Sequence, residues 1–260
     1  MKEKWIVEGE KISREAGELL LRGFRSPEMT VSYKSRTNLV TNMDRLSEDL
    51  ITRRLEETFP EHSIIAEEGS EKLVNGEYLW YVDPLDATNN YAHGIAYFCI
   101  SLGLFSRIEK CIVAGIIYDP WQGELFSALR GAGTLLNGKP VKVSSIPDIG
   151  ISIVSTGFPY VKDDPARNNI EQINRVAPHV QDIRRMGSAA LDLCGVACGR
   201  FDGYWEPELH PWDMAAGSLI VEEAGEKVTG YSGKPFDVTI PRIVASNGLI
   251  HEKLSRLIGT

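Results

Sequence analysis

Near the start of the chain apolar or small residues return every three or four positions: Trp5, Gly9, Ile12, Ala16, Leu19 and Gly23 share one face, with charges between them. That period predicts an amphipathic helix over residues 5–23. Residues 29–34 alternate as a strand does. A second helical period runs through Leu46, Leu50, Ile51, Leu55 and Phe59, with Asp44 as its expected N-cap and Pro60 as its stop. Short apolar runs follow at 63–66, 78–83, 96–105, 111–118 and 123–128, and Leu136-Asn137-Gly138-Lys139 reads as a turn. Helices followed by a run of strands predict an α+β first half on an antiparallel-rich sheet. The pattern then changes to strand 151–155, helix 168–177, small-residue helix 188–199, strand 201–205 and helix 211–224 with proline in its first turn. This alternation predicts an α/β second half, with the boundary at 144–150 dividing residues 1–146 from 147–260.

Composition narrows the classes. A chain of 260 residues with 43% hydrophobic and 25% charged positions can bury an ordinary globular core. A net charge of −8, with basic residues no denser than the pairs Arg53-Arg54 and Arg184-Arg185, argues against a nucleic-acid partner. No apolar run approaches the ~20 residues of a membrane span, and residues 1–8 carry charge where a leader needs an apolar core. Cys99, Cys111, Cys194 and Cys198 lack zinc spacing and read as buried free thiols, so the expectation is a cytoplasmic chain.

The chemistry gathers at Asp83-Pro84-Leu85-Asp86-Ala87-Thr88, directly after the apolar run Tyr78-Leu79-Trp80-Tyr81-Val82. Proline is expected to stop strand pairing there, leaving a sheet rim where Asp83, Asp86 and the Leu85 carbonyl converge on a hard cation. Glu67-Glu68 ends the neighbouring strand candidate. Carboxylates gathered at strand ends repel one another unless a divalent metal neutralises them, which points to Mg²⁺. Two further stretches carry polar groups: Trp212-Asp213-Met214-Ala215-Ala216-Gly217, and the loop from Lys34 to Asp44. Each stretch alone has a plainer reading, as a turn, a solvated face, a carboxylate at a helix dipole or a linker.

In this order and spacing, the stretches together resemble the inositol monophosphatase family of Mg²⁺-dependent, lithium-sensitive sugar phosphatases, over nearly the whole chain. Residues 83–94 and 212–217 carry most of the resemblance, and Met186-Gly187-Ser188-Ala189-Ala190 adds to it. It implies a layered αβαβα sugar-phosphatase fold and a phosphoric monoester hydrolase, with inositol 1-phosphate as first substrate. Glu67, Asp83 and the Leu85 carbonyl would bind one metal, and Asp83, Asp86 and Asp213 a second. A looser third ion near Glu67 brings the set to two or three Mg²⁺. Asp44 and Thr88 would orient the attacking water, with Glu67 as a further catalytic acid. Lys34 would lie near the phosphate and the Ala87 and Thr88 N–H groups would grip it. Ser188, Ala189 and Glu206 would meet the substrate. A homodimer and inhibition by lithium are also implied.

Alternatives on the same acids are fructose-1,6-bisphosphatase, histidinol-phosphatase and nucleotide 3′-phosphatase activity, or a regulatory, partner-binding use of the fold. A bisphosphate needs a second basic pocket, for which Lys162, Arg167, Arg184 and Arg185 are the candidates. Glu68 reads as a salt-bridged or solvated acid, and His93 and His210 as histidines packed beside the site. The chain departs from the family pattern at Ala87, where glycine is usual, at Asn89, where a second threonine is, and at Asn38, where aspartate is frequent. Alanine at 87 keeps the N–H and is accommodated if φ stays negative.

Overall fold

The computed structural model describes residues 2–160, 163–165 and 167–259. Its helices are α1 (Lys2–Gly23), α2 (Asn42–Thr58), α3 (Thr88–Ala92), α4 (Ile170–Val176), α5 (Ala189–Ala197), α6 (Pro211–Glu223) and α7 (His251–Gly259). α1 buries Trp5, Gly9, Ile12, Ala16, Leu20 and Gly23, so Leu20 takes the place expected for Leu19. α2 is capped by Thr41, not by Asp44. Thr41 is extended and accepts from Met43 N, while Asp44, inside the first turn, accepts from Thr41 N at 2.8 Å. The reciprocal pair satisfies two otherwise orphaned donors.

The first sheet has eight strands in the order Lys139–Pro140, Gly133–Leu136, Glu124–Leu129, Cys111–Asp119, Cys99–Ser106, Tyr78–Asp86, Ser63–Ala66 and Glu71–Lys72. Neighbours are antiparallel except Ser63–Ala66 beside Tyr78–Asp86, which are parallel, so both strands deliver their last residues to one rim. Asn137 and Gly138 have φ of 49° and 75° in the hairpin that pairs Leu136 with Lys139, as that turn chemistry demands. Pro84 does not end its strand. The ladder pairs Asp83 with Ser101, skips, and resumes with Asp86 opposite Cys99. Because proline has no N–H to donate, the strand bulges over Pro84 and Leu85, and pairing resumes with the register shifted by one residue.

The second sheet has five strands in the order Asp182–Arg184, Ile153–Thr156, Gly203–Pro207, Arg242–Ser246 and Lys227–Thr229. Its first three strands are parallel and its last two antiparallel to their neighbours. α7 and the strands Arg242–Ser246 and Lys227–Thr229 go beyond the sequence reading, and the strand predicted at 201–205 runs from Gly203 to Pro207.

α1 and α2 cover one face of the first sheet around Trp80, Leu102 and Ile116. α5 and α6 fill the space between the sheets, packing on Ile117 and Phe126 below and Tyr204 and Ala245 above. α4 and α7 close the outside on Val154, Trp205 and Val244. The result is the expected αβαβα stack. α6 lies unusually close to the first sheet: a Cβ at Gly103 would stand 2.5 Å from the Ala215 methyl, and one at Gly115 2.7 Å from Ala216 O. This is why α6 carries Ala215 and Ala216 there, while Gly217 makes room for Leu193 of α5, and the close approach brings Asp213 down to the rim that carries Asp83. Among the described residues no helix is long and apolar enough to cross a membrane.

Candidate active site

Strand ends, a bulge and helix starts meet at a cavity of about 110 Å³. Glu67, Asp83, Leu85, Asp86, Ala87, Thr88, Ala189, Glu206 and Asp213 all line it. Three predicted residues stand one bond behind the wall. Asp44 reaches the cavity through Thr88, whose Oγ1 donates to Asp44 Oδ1 at 2.7 Å and lies 3.1 Å from Leu85 O. Ser188 reaches it through Asp86, donating from Oγ to Oδ2 at 2.6 Å, and Ala190 N–H donates to the same oxygen at 2.8 Å. Lys34 reaches it through the glutamates, 2.5 Å from Glu68 Oε1 and 3.4 Å from Glu67 Oε1. Glu68 is thus the salt-bridged acid the sequence suggested.

Each carboxylate keeps one oxygen occupied by the fold. Leu85 N–H donates to Asp83 Oδ1 at 3.0 Å, and His210 N–H to Asp213 Oδ2 at 2.6 Å. The electrostatics are unfavourable as they stand. Burial raises the Asp83 and Asp213 carboxyls well above their ordinary range, and the negative charge of Glu67 raises both further. Burial also pushes Glu67 up to about 7 against the pull of the Lys34 ammonium. It raises Asp86 too, against the donors Ser188 and Ala190, and Asp44 against Thr41 and Thr88.

Among the described residues no group of three or more His, Cys, Asp or Glu side chains closes around a single point at ion-binding spacing. The four acids share the walls of one cavity instead. The donor set fits a hard divalent cation. It is all oxygen and carries surplus negative charge, and Lys34 answers only the glutamate edge.

Several expectations change. Ala87 has φ 74° and ψ 45°, the left-handed region, so the condition under which alanine would be strain-free is not met. His93 and His210 are exposed; His210 stacks on Trp212 with ring centres 4.8 Å apart. Glu206 is half-buried, accepts from the Tyr204 hydroxyl at 2.7 Å, and is raised by burial to about 7. Gly157 lies against that carboxylate with no room for a Cβ. All four cysteines are free; Cys99 and Cys194 are buried, and the other two only partly.

Of the basic candidates for a second phosphate, Arg167 pairs with Glu208 and Arg184 with Asp182, Lys162 lies outside the described residues, and Arg185 lines the cavity. Sequence reasoning missed Phe158 and Tyr160 in the cavity wall. It also missed the bond from Thr37 Oγ1 to Tyr160 O, 2.9 Å, that ties the 34–38 loop to the second half. No local signal marks a contact between residues 123 positions apart.

The fold and site place the chain among two-sheet, five-layer proteins with an acidic, oxygen-lined centre. A profile of the Inositol monophosphatase family matches residues 1–259. The inositol-1-monophosphatase of Synechocystis sp. is 42% identical over 222 residues, covering 85% of this chain and 77% of that protein. The Nus factor SuhB of Pasteurella multocida is 37% identical over 238 residues, covering 91% and 88%. The structure of inositol monophosphatase from Anabaena (Nostoc) sp. PCC 7120 superposes with a TM-score of 0.88 at 38% identity, covering 98% of this chain and 95% of that one. Two more distant structures, each with a TM-score of 0.81 and covering 94% of this chain, extend the set. One is an IMPase/NADP phosphatase complexed with Mg²⁺ and phosphate, 28% identical and covered over 90% of its length. The other is a staphylococcal inositol monophosphatase-1 in a LiCl-soaked inhibitory complex, 27% identical and covered over 89%. The chain belongs to the inositol monophosphatase family.

Proposed function

We propose that the chain is a Mg²⁺-dependent phosphate-monoester hydrolase that takes myo-inositol 1-phosphate to inositol and phosphate. The observation that carries this reading is the 2.7 Å Asp44–Thr88 bond set beside Glu67, Asp83, Asp86 and Asp213 on one cavity. Glu67, Asp83 and the Leu85 carbonyl would hold one ion, Asp83, Asp86 and Asp213 a second, and a third would lie near Glu67. The chemistry supplied by Mg²⁺ there is neutralisation of the phosphoryl oxygens and acidification of water.

The remaining work belongs to the chain. Thr88 donates its hydroxyl hydrogen bond to Asp44, so its oxygen turns lone pairs to the cavity and can accept from the attacking water. Asp44, fixed by Thr41, keeps Thr88 in that rotamer. Lys34 balances Glu67 and Glu68. In this reading the Ala87 and Thr88 N–H groups would grip the phosphate, the Ala87 N–H being shared with the Asp86 carboxylate. Glu206 has one oxygen on Tyr204 and the other for a polyol hydroxyl, next to Ser188 and Ala189. In this reading residues 1–146 supply most of the acids and 147–260 supply Asp213 and the substrate side. The protein works as a cytoplasmic homodimer.

Fructose-1,6-bisphosphatase, histidinol-phosphatase and nucleotide 3′-phosphatase chemistry would use the same acids. Arg184 is taken by Asp182 and Arg167 by Glu208 of the cavity wall, which favours a monophosphate; a second phosphate would have to use Arg185 on the same wall. Phosphate release from a panel of these esters, with and without Mg²⁺, tests the reading. Mg²⁺-dependent turnover led by inositol 1-phosphate is expected; strong preference for fructose 1,6-bisphosphate, or release indifferent to Mg²⁺, overturns it. A partner-binding role, prompted by the likeness to Nus factor SuhB, predicts binding that survives loss of hydrolysis.

A further inference from the structure

Three polar residues on one face of α2 each hold a different stretch of the chain that bears the acids, Asp44 through a side chain and the other two through the backbone. Asp44 holds Thr88, and Ser47 Oγ donates to Pro84 O at 2.8 Å, inside the bulge between Asp83 and Asp86. Glu48 reaches the third stretch. Its Oε2 accepts from Glu68 N–H at 2.7 Å and its Oε1 from Ser70 N–H at 2.8 Å. The residue is 3% exposed. Gly69 between the two donors has φ 111°, which only glycine adopts freely, and this turn aims both N–H groups at one carboxylate.

Other bonds already fix where this turn begins: Glu67 N–H donates to Val82 O and Ala66 N–H to Ser70 O. What they leave open is the orientation of the peptides just after Glu67. Glu48 is also electrostatically costly there, since its charge adds to the repulsion on Glu68. Two backbone donors, not a cation, offset that cost, so the residue type answers a need for two acceptors at fixed spacing.

We propose that Glu48 is a positioning residue for the metal centre: by holding the N–H groups of Glu68 and Ser70 it keeps the Glu67 carboxylate aimed at Asp83. This rests on the metal-dependent reading above. The test is Glu48→Gln, which keeps the shape but turns an amide N–H₂ toward one of the two donors. The probe is Mn²⁺ binding followed by electron paramagnetic resonance without substrate, beside the Mg²⁺ dependence of turnover. Mn²⁺ affinity should fall by about tenfold or more, as outer-shell changes do. The Mg²⁺ concentration for half-activation should rise by the same factor, with kcat at saturating Mg²⁺ within about threefold of wild type.

A purely structural role would lower the melting temperature in chelator and leave Mn²⁺ affinity unchanged; that result overturns the proposal. So does an equal loss of Mn²⁺ affinity in Leu55→Ala, a core truncation on the same helix. Should Glu48→Gln fail to fold, Glu48→Asp makes the same comparison, keeping both acceptors but shortening their reach. A wild-type protein that binds Mn²⁺ yet releases no phosphate overturns the hydrolase reading and leaves the Glu48 comparison standing.

Discussion

Replacing Asp86 by asparagine removes a charge and keeps a shape; replacing it by alanine removes both. One oxygen of Asp86 fastens the second half of the chain through Ser188 Oγ and Ala190 N–H, and the other side of the carboxylate faces the cavity. Alanine leaves two donors without a partner at residues that are 1% and 0% exposed. At about 1–3 kcal/mol for each unsatisfied buried group, the loss is roughly 2–6 kcal/mol. At about 2–4 °C per kcal/mol for a chain of this size, that lowers the melting temperature by about 4–24 °C. Asparagine offers its carbonyl to both donors and carries no charge to desolvate, so metal-free stability should stay within about 1 kcal/mol of wild type. The metal response should separate from this. A hundredfold excess of Mg²⁺ over its dissociation constant stabilises wild type by about 2.7 kcal/mol. If the amide weakens binding a hundredfold, the gain falls to about 0.4 kcal/mol. Melting curves in chelator and in Mg²⁺, with phosphate release on the same samples, read both effects. Asparagine melting as low as alanine without metal, or keeping the wild-type Mg²⁺ shift and hydrolysis, would refute the reasoning.

Gly157→Ala drives a methyl into the Glu206 carboxylate and should raise KM for inositol 1-phosphate about tenfold with kcat within about threefold, measured by steady-state kinetics. Burial raises Glu206 from an ordinary 4.5 to about 7, so the fold favours its neutral form. That contribution is fully present below the unfolded value and is lost as pH rises through about 7, by up to ~3 kcal/mol. Melting in chelator should therefore weaken between about pH 5 and 7.5, and Glu206→Gln should remove the Glu206 share of that decline, leaving the share of Glu67 and the buried aspartates. Ala87→Gly removes a left-handed strain of about 1–2 kcal/mol but adds unfolded-chain entropy, for a net gain of about 0.5–1 kcal/mol in urea unfolding.

The first half was legible because its signals are local. The three- and four-residue period of α1, the apolar runs from 63 to 128 and the Asn137-Gly138 turn need no partner to be read. The acids were legible for the same reason, since Asp83 and Asp86 sit on the bulge that Pro84 makes. What failed depended on distant chain. Asp44 looked like a cap because capping residues are polar, yet Thr41 takes that place and Asp44 is pulled toward Thr88. The Ala87 backbone bends against its own preference because it lies between Asp86, fastened to Ser188, and α3. α7 is a nine-residue helix whose buried Leu254 and Ile258 gain meaning only against the second sheet. Glu48, four residues after Asp44, carries no local signal, because its two donors come from the turn after Glu67, some twenty residues on.

The margins of the eight-stranded sheet bear on how copies of the chain can meet. One outer strand is Lys139–Pro140 and the other Glu71–Lys72, two residues each. An incoming strand would find a missing N–H and a lysine on one side and adjacent opposite charges on the other. Self-association therefore cannot readily extend the eight-stranded sheet from one subunit into the next.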